Sequence, residues 1–305
     1  MNSTTNSTTR IINVDSTISN TTVALSFIIA GIIVAVNIVE IIILCRLTHR
    51  RVYEKLLLSL TISDLCSGIA EIVIISTYYM QLQNGTVFRA KHAVFAFFLF
   101  TSILHQIWLS LDRLWAVKSP IKHNIATNGR KVAVVVVVTW LINISAVVAY
   151  CIFQEMNVQK IDNDRERWTL TKSYHDTFIR VIGSLILIAD FVLIISYSMV
   201  IYRVRKRAVP NRSNSSTSRY NQQKRVTTMC LLITGSFVTT TLPYICFNIL
   251  DKSLVTSINH VIANHWIRIL VISNALLNSL IYLVQNYWKT FPCGRKTGNS
   301  SEEKS

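Results

Sequence analysis

The chain has 305 residues, 51% of them hydrophobic and only 15% charged, with a net charge of +16. Soluble domains carry about 25% charged residues, and here the apolar residues fall in long blocks, which excludes an ordinary soluble core. The residues left between the blocks are too few for a separate soluble module.

Seven blocks are long enough to cross about 30 Å of hydrocarbon at about 1.5 Å per residue. They lie near Val23–Cys45, Leu56–Tyr79, Ala93–Val117, Val132–Phe153, Phe178–Tyr202, Met229–Leu250 and Val261–Val284; the fourth and sixth contain no charged residue. An all-α membrane protein is expected: an N-terminal tail over 1–22, a bundle of seven transmembrane helices over 23–285, and a short amphipathic eighth helix with a tail over 286–305. In that last piece Tyr287, Trp288 and Phe291 suit the membrane interface.

The positive charge is confined to alternate loops. Arg46, Arg50, Arg51 and Lys55 follow the first block, and Lys118, Lys122, Arg130 and Lys131 follow the third. The linker Arg203–Gln223 is basic, Ser/Asn-rich and free of acids, and reads as a mobile segment. The loop after the fourth block mixes Lys160, Arg165 and Arg167 with Glu155, Asp162, Asp164 and Glu166. Basic loops stay in the cytosol, so the N-terminus is expected outside and the C-terminus inside. That distribution argues against a nucleic-acid partner and for contact with membrane lipid. Asn2, Asn6, Asn20 and Asn84 head Asn-x-Ser/Thr sequons on the expected outer side. No cleavable leader is expected, because the polar tail precedes an apolar run too long for one. All six cysteines lie inside the blocks or on the expected cytosolic side, so no outer disulfide is expected, and Cys293 is a lipidation candidate or a plain thiol.

Polar residues inside the blocks need partners or a function. The first block carries Asn37 and Glu40; the glutamate is read as protonated or bonded to a neighbour. Asp64 in the second block would cost about 2.5–3.5 kcal/mol alone at mid-bilayer. Ser102, Asn274 and Asn278 lie at matching depth, the two asparagines one helical turn apart. Glu71 stands two turns from Asp64. In the third block His105 reads as a satisfied core histidine, and Asp112-Arg113 sit where the apolar run meets basic loop, followed by Pro120-Ile121. Asp190 is a lone acid in the fifth block. Pro243 removes a backbone donor from the sixth and should kink it. Arg268 in the seventh is costly unless it pairs with Glu71 or meets a ligand carboxylate. No pairing of nucleophile with base and no metal-ligand spacing supports an enzyme.

Taken together, Asn37, Asp64, Asp112-Arg113, Trp140, Tyr197, Phe237 with Pro243, and Asn278 with Tyr282 fall in order on successive helices. This set resembles the rhodopsin-like (class A) G protein-coupled receptors. The resemblance implies a plasma-membrane receptor that passes an extracellular signal to a heterotrimeric G protein. It implies that Asp112, Arg113, Ile121, Tyr197, Phe237, Pro243, Asn278 and Tyr282 serve activation and coupling. It also implies a water-filled sodium site at Asp64, Ser102, Asn274 and Asn278. Other cofactors are not expected. The ligand pocket is expected among Glu71, Tyr78, Phe95, Leu99, Tyr244, Asn248, His265 and Arg268, for a small acid or a peptide. Phe95 stands where amine receptors carry an aspartate, which disfavours an amine, and Ile272 stands where opsins carry their retinal lysine. Several family marks are replaced: Leu114 for the tyrosine after Asp-Arg, Ala189 for a proline, Thr240 and Thr241 for Cys-Trp, and Ser279 for the proline after Asn278. Gln223 stands where an acid often latches the arginine, so a receptor signalling without agonist stays open as an alternative. So does a transporter or channel using Glu40, Asp64, Glu71 and Asp190.

Overall fold

The computed structural model describes residues 3–47, 52–80, 85–126, 129–158, 164–206, 214–249 and 257–290. It is a bundle of helices: α1 (Ser3–Arg46), α2 (Val52–Tyr79), α3 (Gly85–Lys118), α4 (Pro120–Ala126), α5 (Gly129–Val158), α6 (Asp164–Lys206), α7 (Asn214–Ile249) and α8 (Ser257–Thr290). All of these except the short α4 contain a stretch long and apolar enough to cross a membrane, and no strand occurs among the described residues. In hydrocarbon every backbone N–H and C=O must be satisfied within its own segment, which forces helix. The run Val132–Val138 shows the force of this. Its β-branched residues would favour a strand in water, yet it lies in α5.

Neighbouring helices close a ring in which α1 packs on α2 and α8, α8 on α7, α7 on α6, and α6 on α5. Helix α3 runs through the middle and touches α2, α5, α6 and α7. Half of the spanning stretch of α3 is buried, against 17% for α5, so α3 is the axis and α5 the outermost stave. Val134, Leu141, Ile142, Val148 and Ile152 of α5 accordingly face outward. Helices α1 and α2 approach closely at Gly68, where a Cβ would meet Ile33 Cγ2 at 2.9 Å.

Two apolar clusters fill the interior. One, at the Arg113 end, gathers Leu44, Tyr53, Leu57, Leu109, Tyr197, Met229, Ile233 and Tyr282. The other, in the opposite half, gathers Leu99, Ile103, Ile186, Phe237, Tyr244 and Val271.

The helices extend further than the apolar blocks. Helix α6 begins at Asp164, well before the expected fifth span, and α7 begins at Asn214. The linker read as mobile is therefore helical from 214 onward. Helix α8 continues unbroken to Thr290, so the polar stretch after Gln285 prolongs it. Asn2, Asn84 and Cys293 lie outside the described residues, as do the side chains of Asn6, Asn20, Tyr78, Gln223, Asn248 and His265.

Candidate functional site

The polar residues of the spanning helices line up along the axis of the bundle. At mid-depth Asp64 of α2 is buried. Its Oδ2 accepts from Asn278 Nδ2 of α8 at 2.9 Å, and its Oδ1 from Ser102 Oγ of α3 at 3.3 Å. Asn274 Oδ1 and Asn278 Oδ1 are buried with no hydrogen-bond partner among the described residues. A cavity of about 50 Å³ adjoins this cluster, lined by Asp64, Ser102 and Asn274 and reaching Glu71, Phe95 and Leu99. Space for one water needs only about 10–15 Å³. A carboxylate bonded here only by neutral donors, beside two unpartnered amide oxygens, is a donor set suited to a small hard cation. On the other flank of α8, Ser279 Oγ donates to Asn37 Oδ1 at 2.8 Å. Glu40 is buried nearby, with Oε1 unpartnered among the described residues.

Glu71 lines the far end of this cavity and pairs with Arg268. Arg268 Nη2 donates to Glu71 Oε2 at 2.9 Å, and its guanidinium lies 5.5 Å from the centre of the Phe95 ring. Phe95 packs on Tyr244 of α7 with centroids 5.6 Å apart. Arg268 Nε has no partner among the described residues. Of the two readings open for Arg268, the internal pair is the one formed.

At the opposite end Arg113 is buried and ion-paired with Asp112, with its Nε donating to Asp112 Oδ2 at 3.0 Å. Two groups that sequence reasoning missed complete this site. His123, on α4, contributes Nε2 at 2.8 Å from Asp112 Oδ1. A carboxylate only accepts, so that nitrogen carries the hydrogen. The Tyr53 ring lies under the Arg113 guanidinium at 4.9 Å, and its hydroxyl donates to Glu54 at 2.9 Å. Pro120 opens α4 at a first-turn position, where its missing N–H is harmless, and Ile121 beside it is 75% exposed. Tyr197 and Tyr282 are buried in the cluster around the arginine. The Tyr197 hydroxyl has no partner among the described residues.

Between the two ends, polar side chains tie α3 to its neighbours. His105 Nδ1 lies 2.7 Å from the Thr101 carbonyl, an acceptor, so Nδ1 carries the hydrogen. Its Nε2 then accepts from Ser59 Oγ at 2.7 Å, while Trp140 Nε1 donates to the same oxygen at 3.0 Å. Thr234 of α7 donates to Gln106 at 3.0 Å. Around Pro243, Thr239, Thr240 and Thr241 each bond the carbonyl four residues back, a pattern that often bends helices. Thr241 also reaches Asp190 Oδ2 of α6, at 3.4 Å.

The arrangement is a polar axis closed at one end by Glu71–Arg268 and at the other by Asp112–Arg113–His123 within an apolar seal. A family model described as 7 transmembrane receptor (rhodopsin family) matches residues 36–282. The chain is also similar to 5-hydroxytryptamine receptor 1A-beta of Takifugu rubripes, at 26% identity over 133 residues. Those residues are 44% of this chain, and they span 31% of that receptor's length.

Proposed function

We propose, since the chain belongs to the rhodopsin family of seven-transmembrane receptors, that it carries an extracellular ligand signal across the plasma membrane to a heterotrimeric G protein. The observation that carries this reading is the buried Asp112–Arg113 pair at the basic end of the axial helix, sealed by Tyr53, Tyr197 and Tyr282. In the arrangement described here that end is shut. A ligand that binds better when the bundle is open shifts the equilibrium by its differential affinity. Opening releases Arg113 from Asp112, and the α7 segment below Pro243 swings to uncover a groove for a G protein helix. The basic loops at this end support a cytosolic position for it, with Glu71–Arg268 outside.

Ligand recognition falls to the Glu71–Arg268 end. Arg268, whose Nε has no partner among the described residues, suits a carboxylate, from a small acid or a peptide. Phe95 offers no counter-ion, so the ligand named for the fish relative is not carried over. A sodium ion would be held by Asp64, Ser102, Asn274 and Asn278, and would supply the positive charge that Asp64 lacks.

The test is nucleotide exchange on purified heterotrimers from each G protein class, with the full chain in proteoliposomes. Exchange above that of Arg113→Gln is the expected result. Ion flux through the proteoliposomes with no exchange on any heterotrimer would sink the receptor reading in favour of a channel or transporter.

A further inference from the structure

The cavity that runs from Asp64 to Glu71 has its charges in a fixed order. Among the described residues the only charged side chains that line it are Asp64 and Glu71, and both are acids. The bases stand outside that lining. Arg268 pairs with Glu71 from α8, with 30% of its side chain exposed, and Lys91 of α3 is within electrostatic reach of both members of the pair. A polar group that enters the cavity therefore meets negative charge, while one that stays on the Arg268 side meets positive charge. Much of the remaining wall is apolar, with Ile74, Phe98, Leu99 and Val271.

This order selects against a ligand with a single charge. A plain carboxylate would serve Arg268 Nε, which has no partner among the described residues, but would bring nothing for the acids of the wall. A plain amine would answer Glu71 and leave that Nε without an acceptor, which is costly for a buried donor. A molecule with both charges meets both needs through charge-assisted hydrogen bonds. Its charges must lie close together, because Glu71 Oε2 and Arg268 Nη2 are only 2.9 Å apart. An α-amino acid, with a single carbon between ammonium and carboxylate, has that spacing. Joined to the pair, it makes a ring of alternating charges without breaking the Glu71–Arg268 bridge. The Phe95 ring, 5.5 Å from the guanidinium, holds Arg268 in position for this. The cavity volume of about 50 Å³ is room for about four waters at about 10–15 Å³ each, which limits the side chain to a small aliphatic one.

We propose that the Glu71–Arg268 end binds a small aliphatic α-amino acid as its zwitterion, with the ammonium on Glu71, the carboxylate on Arg268 Nε and the side chain toward Leu99 and Val271. This rests on the reading of that end as the ligand end, and narrows its carboxylate ligand to one that also carries a cation.

The probes are glycine, L-alanine, L-valine and L-leucine, added to the full chain in detergent at fixed pH and sodium chloride concentration. Binding is read as a concentration-dependent rise in unfolding temperature, since a ligand of the folded form stabilises it. At least one probe should produce that rise. For the strongest, the N-acetyl derivative lacks the cation and the methyl ester lacks the anion, and each should bind at least about tenfold more weakly. Glu71→Gln should narrow the gap between the amino acid and its N-acetyl derivative. Ala70→Leu, which keeps both charges and fills the cavity, should abolish binding. No rise with any of the four, binding of succinate or the N-acetyl derivative as tight as that of the amino acid, or an unchanged gap in Glu71→Gln would each overturn the proposal. Nucleotide exchange is followed in parallel. Binding with no exchange on any heterotrimer keeps this site and counts against the receptor reading, whereas exchange with no binding strikes the site alone.

Discussion

His123 Nε2 lies 2.8 Å from Asp112 Oδ1 while Arg113 occupies the other carboxylate oxygen. The acid beside the central arginine is therefore gripped from two helices. With His123 removed, Asp112 keeps only the arginine, and the short helix α4 loses its tie to α3. A hydrogen bond to a charged group contributes about 1.5–3 kcal/mol. If that bond exists only in the shut arrangement, His123→Ala raises basal nucleotide exchange about ten- to hundredfold. Exchange at the wild-type level, with normal expression, would show that His123 is no part of the latch.

The Glu71–Arg268 bridge is mostly buried, so breaking it from one side differs from removing it. Arg268→Ala leaves a buried carboxylate without its cation, at about 3–5 kcal/mol. Glu71→Gln/Arg268→Ala should recover most of that loss. Thermal unfolding in one detergent ranks the three proteins, and a double variant no better than Arg268→Ala contradicts the pairing argument.

Ser59 is a shared acceptor and donor: it receives the Trp140 N–H and bonds the unprotonated nitrogen of His105. Ser59→Ala strands both partners inside the bundle, with a penalty of about 1–3 kcal/mol for each unsatisfied group. Ser59→Thr keeps the hydroxyl and should unfold close to wild type. Equal unfolding temperatures for the alanine variant and wild type would mean that water or another group takes over the bonds.

Thr241 is fully buried against Phe237 and Asp190. Restoring an indole with Thr241→Trp would overpack this site by far more than one methylene, for which about 1–3 kcal/mol is usual. The variant should express poorly or unfold early. A stable Thr241→Trp protein with ordinary exchange would show that the threonines are not matched to this core.

Asp64 has neutral hydrogen-bond donors and two unpartnered amide oxygens around it. If sodium is held there, unfolding temperature rises with sodium chloride but not with choline chloride, because ligand binding to the folded form stabilises it. Asp64→Asn should lose that difference. Equal responses to the two salts in the wild type would leave a water-filled network as the account of these residues.

Much of this architecture is readable in the chain because membranes punish exceptions. Apolar blocks alone place the seven spans, and a buried charge must find a partner, which makes Glu71 with Arg268 and Asp64 with Asn278 foreseeable. Helix ends were less legible. Asp164–Thr177 and Asn214–Gln223 are polar segments whose helicity prolongs a spanning helix rather than following from their own composition. His123 was hidden for another reason: it sits on a short loop helix, and only the turn at Ser119-Pro120 brings it back onto Asp112. Tyr53 and Ser59 gave no signal, since a tyrosine or serine in a helix is common and its partner is set by packing.

In the proposed function the Arg113 end has two arrangements, and a G protein selects the open one. Spin labels at Lys118→Cys and Lys224→Cys, on α3 and α7, report the distance across that end in a background without other reactive cysteines. Adding a heterotrimer that shows exchange, then removing its nucleotide, should produce a second, longer distance at the expense of the first. A single unshifted distance while exchange proceeds would contradict the account.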